Sequence, residues 1–165
     1  RVNQVTPKLF KKFGTPEKMS KADLKEIEGI IHSTGFYKNK AVSLKGLSES
    51  LLKDHGGEVP ETLEELVKLR GVGRKTANVV LNTAFGWPTI AVDTHIFRVS
   101  NRTKLAPGKN VNEVEEKLLK VVPKEFKVDV HHWLILHGRY TCVARKPKCG
   151  ACLIEDLCEF KDKTE

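Results

Sequence analysis

The chain has 165 residues, 39% of them hydrophobic and 30% charged, which is typical of a globular protein with one core or two small lobes. Its apolar runs, such as residues 133–136, are far shorter than the ~20 residues that cross a bilayer, and this excludes a membrane-spanning helix. Twenty-nine Lys and Arg against 21 Asp and Glu give a net charge of +8, which fits either a polyanionic partner or a basic, merely soluble surface.

The apolar spacing predicts helices almost throughout, and no segment alternates with the period of two that marks a strand. Helices are expected at about residues 2–13, after Thr15-Pro16, after Asp23, at 39–55, after Thr62, from about 74, after Asp93, after Asn112 and up to Gly138. Three pairs resemble capping motifs: Ser20 with Asp23, Thr62 with Glu65, and Asn112 with Glu115. The expected fold class is therefore all-α.

Gly86-Trp87-Pro88 interrupts the helical pattern and is the expected boundary between two lobes. We expect a helical lobe over residues 1–87 and a second lobe over residues 88–165. Trp87 and Trp133 are expected in the core, because large aromatic side chains supply much of the apolar area that a fold buries.

Residues 69–77 contain a very tight turn between two helices. Gly71 and Gly73 allow positive φ and close approach of another backbone. Val72 between them can fill the space between the helices. The free amides of the helix that starts near Arg74 point outward at the positive end of its dipole, which favours a bound phosphate. An ordinary helix connection with a glycine cap is the alternative that the residues leave open.

Lys75 lies in the first turn of that predicted helix, beside Arg74. The helix dipole and the neighbouring cation both disfavour an ammonium group there, and a neutral lysine amine is a nucleophile. A lysine that only meets phosphate or solvent remains the alternative from the residues alone. Asp93 stands where a helix cap is expected, and capping would be a sufficient role for an isolated aspartate.

The four cysteines all lie near the end of the sequence, with the spacing Cys142-x6-Cys149-x2-Cys152-x5-Cys158. One local group is more typical of a metal site in a reducing compartment than of a disulfide framework, which staples distant loops. Four thiolates suit either zinc or an iron–sulfur cluster, and the spacing by itself leaves both open.

The loop between the first two cysteines is basic, and its cations are Arg145, Lys146 and Lys148. These side chains either are solvated or bind phosphate. Nearby histidines, His131, His132 and His137, are expected to pack and form hydrogen bonds rather than bind a metal, because no carboxylate pattern accompanies them.

Three segments together are similar to the endonuclease III family of helix–hairpin–helix DNA glycosylases: residues 71–78, residues 91–95 and the cysteine group. The resemblance covers essentially the whole chain and is most specific over residues 69–158. It implies a two-lobed all-α glycosylase fold, with the hairpin at about 62–85 and a cleft between Lys75 and Asp93. The N-terminal part of the family fold is expected to lie outside this sequence.

The resemblance implies base-excision repair of double-stranded DNA that contains oxidised pyrimidines or abasic sites. Lys75 would attack the sugar and form a Schiff base, β-elimination would then cleave the strand, and Asp93 would assist. The four cysteines would bind a [4Fe–4S] cluster that stiffens the basic loop for contact with DNA. Phe36 would wedge into the DNA stack, while a buried phenylalanine in a turn is the alternative.

The resemblance also implies a monomer in the cytoplasm or at the nucleoid, without a membrane partner. Two rival functions stay open. Related monofunctional glycosylases share the fold and the cluster but lack a lysine at the position of Lys75. A cluster-bearing module that binds DNA without catalysis is the other alternative.

Overall fold

The computed structural model describes residues 1–164, and this part of the chain contains helices and no β-strand. Its α-helices are α1 Val2–Phe13, α2 Pro16–Lys21, α3 Leu24–Ile31, α4 Tyr37–His55, α5 Leu63–Leu66, α6 Arg74–Phe85, α7 Thr94–Thr103, α8 Val111–Val121 and α9 Lys127–Tyr140. Short 3-10 helices lie at Lys124–Phe126 and Cys149–Ala151. The predicted all-α class is confirmed. No helix within residues 1–164 is long and apolar enough to cross a membrane.

The chain divides into two compact units, with the boundary in the sequence between Gly73 and Arg74. In the first unit, α4 packs along α2 and α3, and α1 packs on α3. The core of this unit consists of Leu9, Phe13, Met19, Ala22, Ile27, Ile31 and Ala41. The lobe boundary expected at residues 87 and 88 stays a prediction.

The second unit begins at Arg74 and is built on the pairing of α7 with α9. Its core consists of Ile90, Val92, Ile96, Ala106, Val114, Leu118, Val122 and Val130. The extended segment between α6 and α7 is held by the buried side chain of Asn82. The Asn82 amide donates to the carbonyls of Thr89 at 3.0 Å and Val128 at 3.2 Å, so the approach to α7 is fixed before that helix begins.

Helix α9 contains a glycine that lets it approach α7 closely. A Cβ atom at Gly138 would lie 2.9 Å from the His95 Cβ and 3.1 Å from the Val99 Cγ2, distances that real Cβ atoms avoid. The prediction that the last helix ends at Gly138 is therefore wrong, since α9 continues to Tyr140. The glycine is needed for helix contact and not for a helix end.

Two of the predicted capping pairs are wrong in their register. Asp23 itself caps α3, while Ser20 lies inside α2. Asn110, not Asn112, caps α8, and its side chain accepts a hydrogen bond from the Glu113 amide at 3.0 Å. In each case a nearby polar residue outside the helix takes the extended conformation that a cap needs.

The third pair, Thr62 and Glu65, is confirmed as the start of α5. The Thr62 hydroxyl accepts from the Glu65 amide at 3.3 Å and donates to the Glu65 carboxylate at 2.7 Å.

The core prediction for the two tryptophans is wrong, because Trp87 is 48% exposed and Trp133 is 52% exposed. Helix α9 instead turns Val130 inward.

Candidate active site and cluster site

The hairpin glycines have different roles. Gly71 has φ +79°, and a Cβ there would lie 2.7 Å from the Ser43 Cβ of α4, so the turn needs both the left-handed backbone and the missing side chain. At Gly73 φ is not positive, and an added Cβ would meet open space. The backbone at Gly73 is therefore uncovered just before α6. Val72 is half-buried, and its amide donates to the Leu69 carbonyl at 3.1 Å.

Lys75 is the second residue of α6, and its side chain is exposed. Its neighbour Arg74 forms a bidentate ion pair with Glu115, at 2.7 Å from Nη2 to Oε1 and 3.2 Å from Nε to Oε2. The Glu115 side chain is only 8% exposed, whereas the Arg74 side chain is 50% exposed. The cation beside Lys75 is therefore paired with a carboxylate. This pairing offsets part of the repulsion that Arg74 would otherwise exert on the Lys75 ammonium group.

Asp93 caps α7, as predicted. Its Oδ1 atom accepts hydrogen bonds from the amides of His95 and Ile96, each at 2.9 Å. These bonds fix the position of a half-buried carboxylate at the positive end of the α7 dipole.

A buried histidine lies in the electrostatic field of both predicted catalytic residues. His131 is 4% exposed, and its Nδ1 atom has no hydrogen-bond partner in the described chain. Burial lowers the pKa of His131, and the charges of His132 and Lys75 lower it further, while the Asp93 carboxylate and the Ala91 carbonyl raise it. The charges of Lys75 and Asp93 therefore act on the pKa of the same buried imidazole in opposite directions.

Sequence reasoning gave His131 no part in this site. The residue lies more than 35 positions beyond Asp93 in the sequence, and a histidine on a helix that also carries apolar residues gives no signal of its own. Its placement depends on how α9 packs on α7, which local patterns do not contain.

All four cysteines line one cavity, together with His137. Each of the four is a free thiol. Arg102 Nη1 lies 3.5 Å from the Cys142 Sγ, and His137 Nε2 lies 3.9 Å from the Cys152 Sγ. Within residues 1–164 no three His, Cys, Asp or Glu side chains converge on one point as the ligands of a single ion do, and the four thiols surround a shared space instead.

That arrangement fits an iron–sulfur cluster. Four thiolates hold a [4Fe–4S] cluster from its corners, so the ligands must enclose a volume. The donor set is all sulfur, the ligand type that iron–sulfur clusters take, and the Arg102 guanidinium donates towards the Cys142 sulfur. When bound, the cluster supplies a rigid link between the four cysteines.

The basic loop, defined as residues 143–148, leaves this cavity and returns to it. Its cations, Arg145, Lys146 and Lys148, are all exposed. Lys146 has φ +51°, a left-handed conformation, and the Lys148 amide donates to the Thr141 carbonyl at 2.9 Å. The loop is therefore a closed, sharply turned segment that presents positive charge to solvent.

Phe36 is 85% exposed and immediately precedes α4. Its backbone is left-handed, with φ 57° and ψ 33°. The alternative of a phenylalanine buried in a turn is therefore wrong. A bulky residue in this conformation carries strain, and strained residues cluster at active sites and ligand-binding sites.

Comparison with known proteins agrees with these features. A family model described as HhH-GPD superfamily base excision DNA repair protein matches residues 1–124. A second model, described as the iron-sulfur binding domain of endonuclease III, matches residues 142–158. The fold and the cysteine site therefore define a base excision DNA repair protein of the helix–hairpin–helix class.

Individual relatives narrow this class. The chain is 63% identical over 164 residues to endonuclease III of Escherichia coli (strain K12), covering 99% of this chain and 78% of that protein. It is 62% identical over 164 residues to endonuclease III of Haemophilus influenzae, with 99% and 78% coverage. It matches the structure of a trapped endonuclease III–DNA covalent intermediate, an estranged-adenine complex, with a TM-score of 0.90, 47% identity and coverage of 96% and 75%.

The chain belongs to the endonuclease III family. It is a DNA glycosylase with AP-lyase activity, it binds DNA, and it carries a [4Fe–4S] cluster on the cysteine segment. The predicted family, fold, activity and cofactor are confirmed.

Proposed function

We propose that Lys75 is the nucleophile and that the substrate is an oxidised pyrimidine in duplex DNA. The observation that carries this proposal is that Lys75 lies in the first turn of α6 and that Asp93 caps α7, so both lie at helix starts of the second unit. The lesion nucleotide flips out of the duplex, at a cost of a few kcal/mol that is smaller for a base that stacks or pairs poorly.

The Lys75 amine attacks C1′ as the bond from C1′ to the damaged base breaks, and the electrons of that bond leave with the base. The Asp93 carboxylate stabilises the positive charge that develops on the sugar ring, because its position is fixed by two amide hydrogen bonds before the substrate arrives. Opening of the sugar ring gives a Schiff base between Nζ and C1′. Loss of the C2′ proton then expels the 3′ phosphate by β-elimination.

The DNA backbone is held by two separate features. The uncovered amides at the start of α6, preceded by Gly71, Val72 and Gly73, bind phosphate with the positive end of the helix dipole. Arg74 lies at the same helix start, where its bidentate pair with Glu115 fixes the guanidinium beside the bound phosphate. The basic loop binds phosphate through Arg145, Lys146 and Lys148. Such contacts place the enzyme without reading base sequence.

Phe36 acts as a wedge in the base stack. Its ring is exposed and its backbone is held in one conformation, so that the phenyl group can fill the space next to a flipped nucleotide.

The protein acts as a monomer on double-stranded DNA with damaged pyrimidines or abasic sites. A reducing intracellular compartment, in contact with the nucleoid, suits its free cysteines.

Borohydride trapping and base release, measured separately on one duplex, test this proposal. Lys75→Gln should bind the duplex at wild-type affinity but lose both the trapped adduct and turnover. Asp93→Asn should still form some adduct at a pre-existing abasic site, while release of the damaged base falls by roughly 10²–10³-fold, as for loss of a fixed electrostatic group. Trapping of Lys75→Gln at the wild-type level would show that another amine is the nucleophile. Base release without an adduct in the wild-type protein would favour the monofunctional alternative.

A further inference from the structure

One arginine of α7 joins the cluster site to the basic loop. Arg102 Nη1 donates to the Val143 carbonyl at 2.7 Å and lies 3.5 Å from the Cys142 Sγ, while its Nη2 donates to the Ala144 carbonyl at 3.0 Å. The face of the same guanidinium covers the Phe160 ring, with 4.5 Å from Cζ to the ring centroid. A single side chain therefore fixes a cluster ligand and the first two residues of the loop.

The geometry of arginine is needed for this set of contacts. The guanidinium is planar and presents five donors from three nitrogens, so it can bind several acceptors that lie in one plane and also stack on a ring. A lysine carries the same charge on one nitrogen at the end of a flexible chain. It cannot reproduce bonds that leave Arg102 from both Nη1 and Nη2.

The neighbouring arginine on the same face of α7 binds next to the loop but not to it. Arg98 donates through Nε to the Cys142 carbonyl at 3.0 Å and through Nη2 to the Gly138 carbonyl at 2.7 Å. These bonds hold the end of α9 and a cluster ligand. Arg102 lies one turn further along α7. Its contacts with Val143 and Ala144 hold the start of the loop, which precedes the exposed cations.

We propose that Arg102 is a positioning residue that fixes the basic loop to the cluster site in the conformation that meets DNA phosphates. The guanidinium holds the outgoing half of the loop through Val143 and Ala144, and the Lys148 amide closes the returning half on Thr141. Arg102 itself need not touch DNA. Its contribution to DNA affinity passes through the three cations that the loop presents.

This inference rests on the proposed phosphate role of the loop, and a double-mutant cycle separates the two. Duplex affinity is measured against salt concentration for the wild-type protein, Lys146→Ala, Arg102→Lys and the double variant, each with full iron content and the broad visible absorption of the cluster. Arg1→Lys, the same chemical change at an exposed residue of the first unit, is the matched control.

Lys146→Ala should lose about one phosphate contact, which lowers the magnitude of the salt slope by about 0.9. Arg102→Lys keeps the net charge, yet it should lose roughly tenfold in affinity and more than one contact in slope, because the whole loop is released. Lys146→Ala should then cost almost nothing further in the Arg102→Lys background, since coupled residues are not additive. Arg1→Lys should match the wild type.

Two results would overturn the inference in distinguishable ways. An unchanged slope in Lys146→Ala would remove the phosphate role of the loop and with it the basis of the inference. A reduced slope in Lys146→Ala, combined with losses of affinity that simply multiply in the double variant, would leave the phosphate role intact and refute the role of Arg102.

Trypsin gives a second readout without DNA. Cleavage between Arg145 and Lys146 should be at least severalfold faster in cluster-loaded Arg102→Lys, and an unchanged rate would also refute the role of Arg102.

Discussion

The Arg74 guanidinium forms a bidentate pair with Glu115, a carboxylate 41 residues further along the chain, at 2.7 and 3.2 Å. The two partners differ in exposure, since the Glu115 side chain is 8% exposed and the Arg74 side chain 50%. The pair joins the first residue of α6 to α8, and Lys75 is the next residue on α6.

The unequal exposure predicts an unequal response to mutation. Arg74→Ala leaves a buried carboxylate without its cation and should lower the free energy of unfolding by about 2–4 kcal/mol. Glu115→Leu leaves an arginine that reaches water and should cost less than about 1 kcal/mol. Urea unfolding of the free protein measures both. Lys12→Ala, which breaks the exposed pair with Glu26, is the control and should also cost less than about 1 kcal/mol. Equal losses for Arg74→Ala and Glu115→Leu would contradict this account.

The close approach of α7 and α9 predicts opposite effects of alanine at two helical glycines. Gly138→Ala places a methyl group 2.9 Å from the His95 Cβ and should destabilise the protein by about 1–3 kcal/mol through overpacking. Gly29→Ala, in α3, meets nothing within 4 Å and should stabilise by about 0.5–1 kcal/mol through helix propensity. Urea midpoints at constant m-value decide between these outcomes. A neutral Gly138→Ala would mean that the two helices separate without cost.

The buried His131 predicts a dependence of stability on pH. Its pKa in the folded protein is lowered by burial and by the nearby charges of His132 and Lys75, against the opposing effect of Asp93. The unfolded chain therefore binds a proton more readily, and stability is lost as pH falls from about 6.5 through the folded pKa. Burial also lowers the pKa of His137, which acts in the same direction.

His131→Asn should flatten the rise of unfolding free energy between about pH 5 and 7, whatever its effect on absolute stability. The measurement is a urea titration of cluster-loaded protein at several pH values. His137 is present in both proteins, so the difference in slope belongs to His131. His32→Asn, at an exposed histidine, serves as the control. The same pH slope in His131→Asn and wild-type protein would show that His131 does not resist protonation.

The strained backbone at Phe36 predicts a variant that is more stable and less active. Glycine adopts the left-handed conformation readily, so Phe36→Gly should stabilise the fold by about 0.5–1 kcal/mol. Without the ring, release of a damaged base should fall, while trapping at an abasic site should change less. Lys104→Gly, at φ 62°, relieves similar strain without removing an aromatic ring and should keep wild-type base release. Equal base release in Phe36→Gly and Lys104→Gly would remove the wedge role.

Helix starts were the most predictable part of the fold. Thr15, Thr62 and Asp93 all cap helices as their local sequences indicate, because a cap needs only a polar side chain and the free amides that follow it. The register of a cap is less certain when several polar residues are adjacent. Asn110 took the place expected for Asn112 for this reason.

Contacts between distant residues were not predictable from local patterns. The ion pair of Arg74 with Glu115 and the position of His131 depend on how whole helices pack, and a sequence pattern of a few residues contains no such information. Gly138 shows the same limit in another form. A glycine near a helix end is typical of a cap, and only the packing of α7 on α9 shows that a close helix contact requires it.

The cysteines that line the cluster cavity come from one short segment, from Cys142 to Cys158, with six, two and five residues between successive ligands. The chain entropy lost on closing a loop grows with loop length, so these short closures cost little beyond the bond formation itself. No distant part of the chain supplies a cluster ligand. Ligation of the cluster is therefore a local, low-contact-order event.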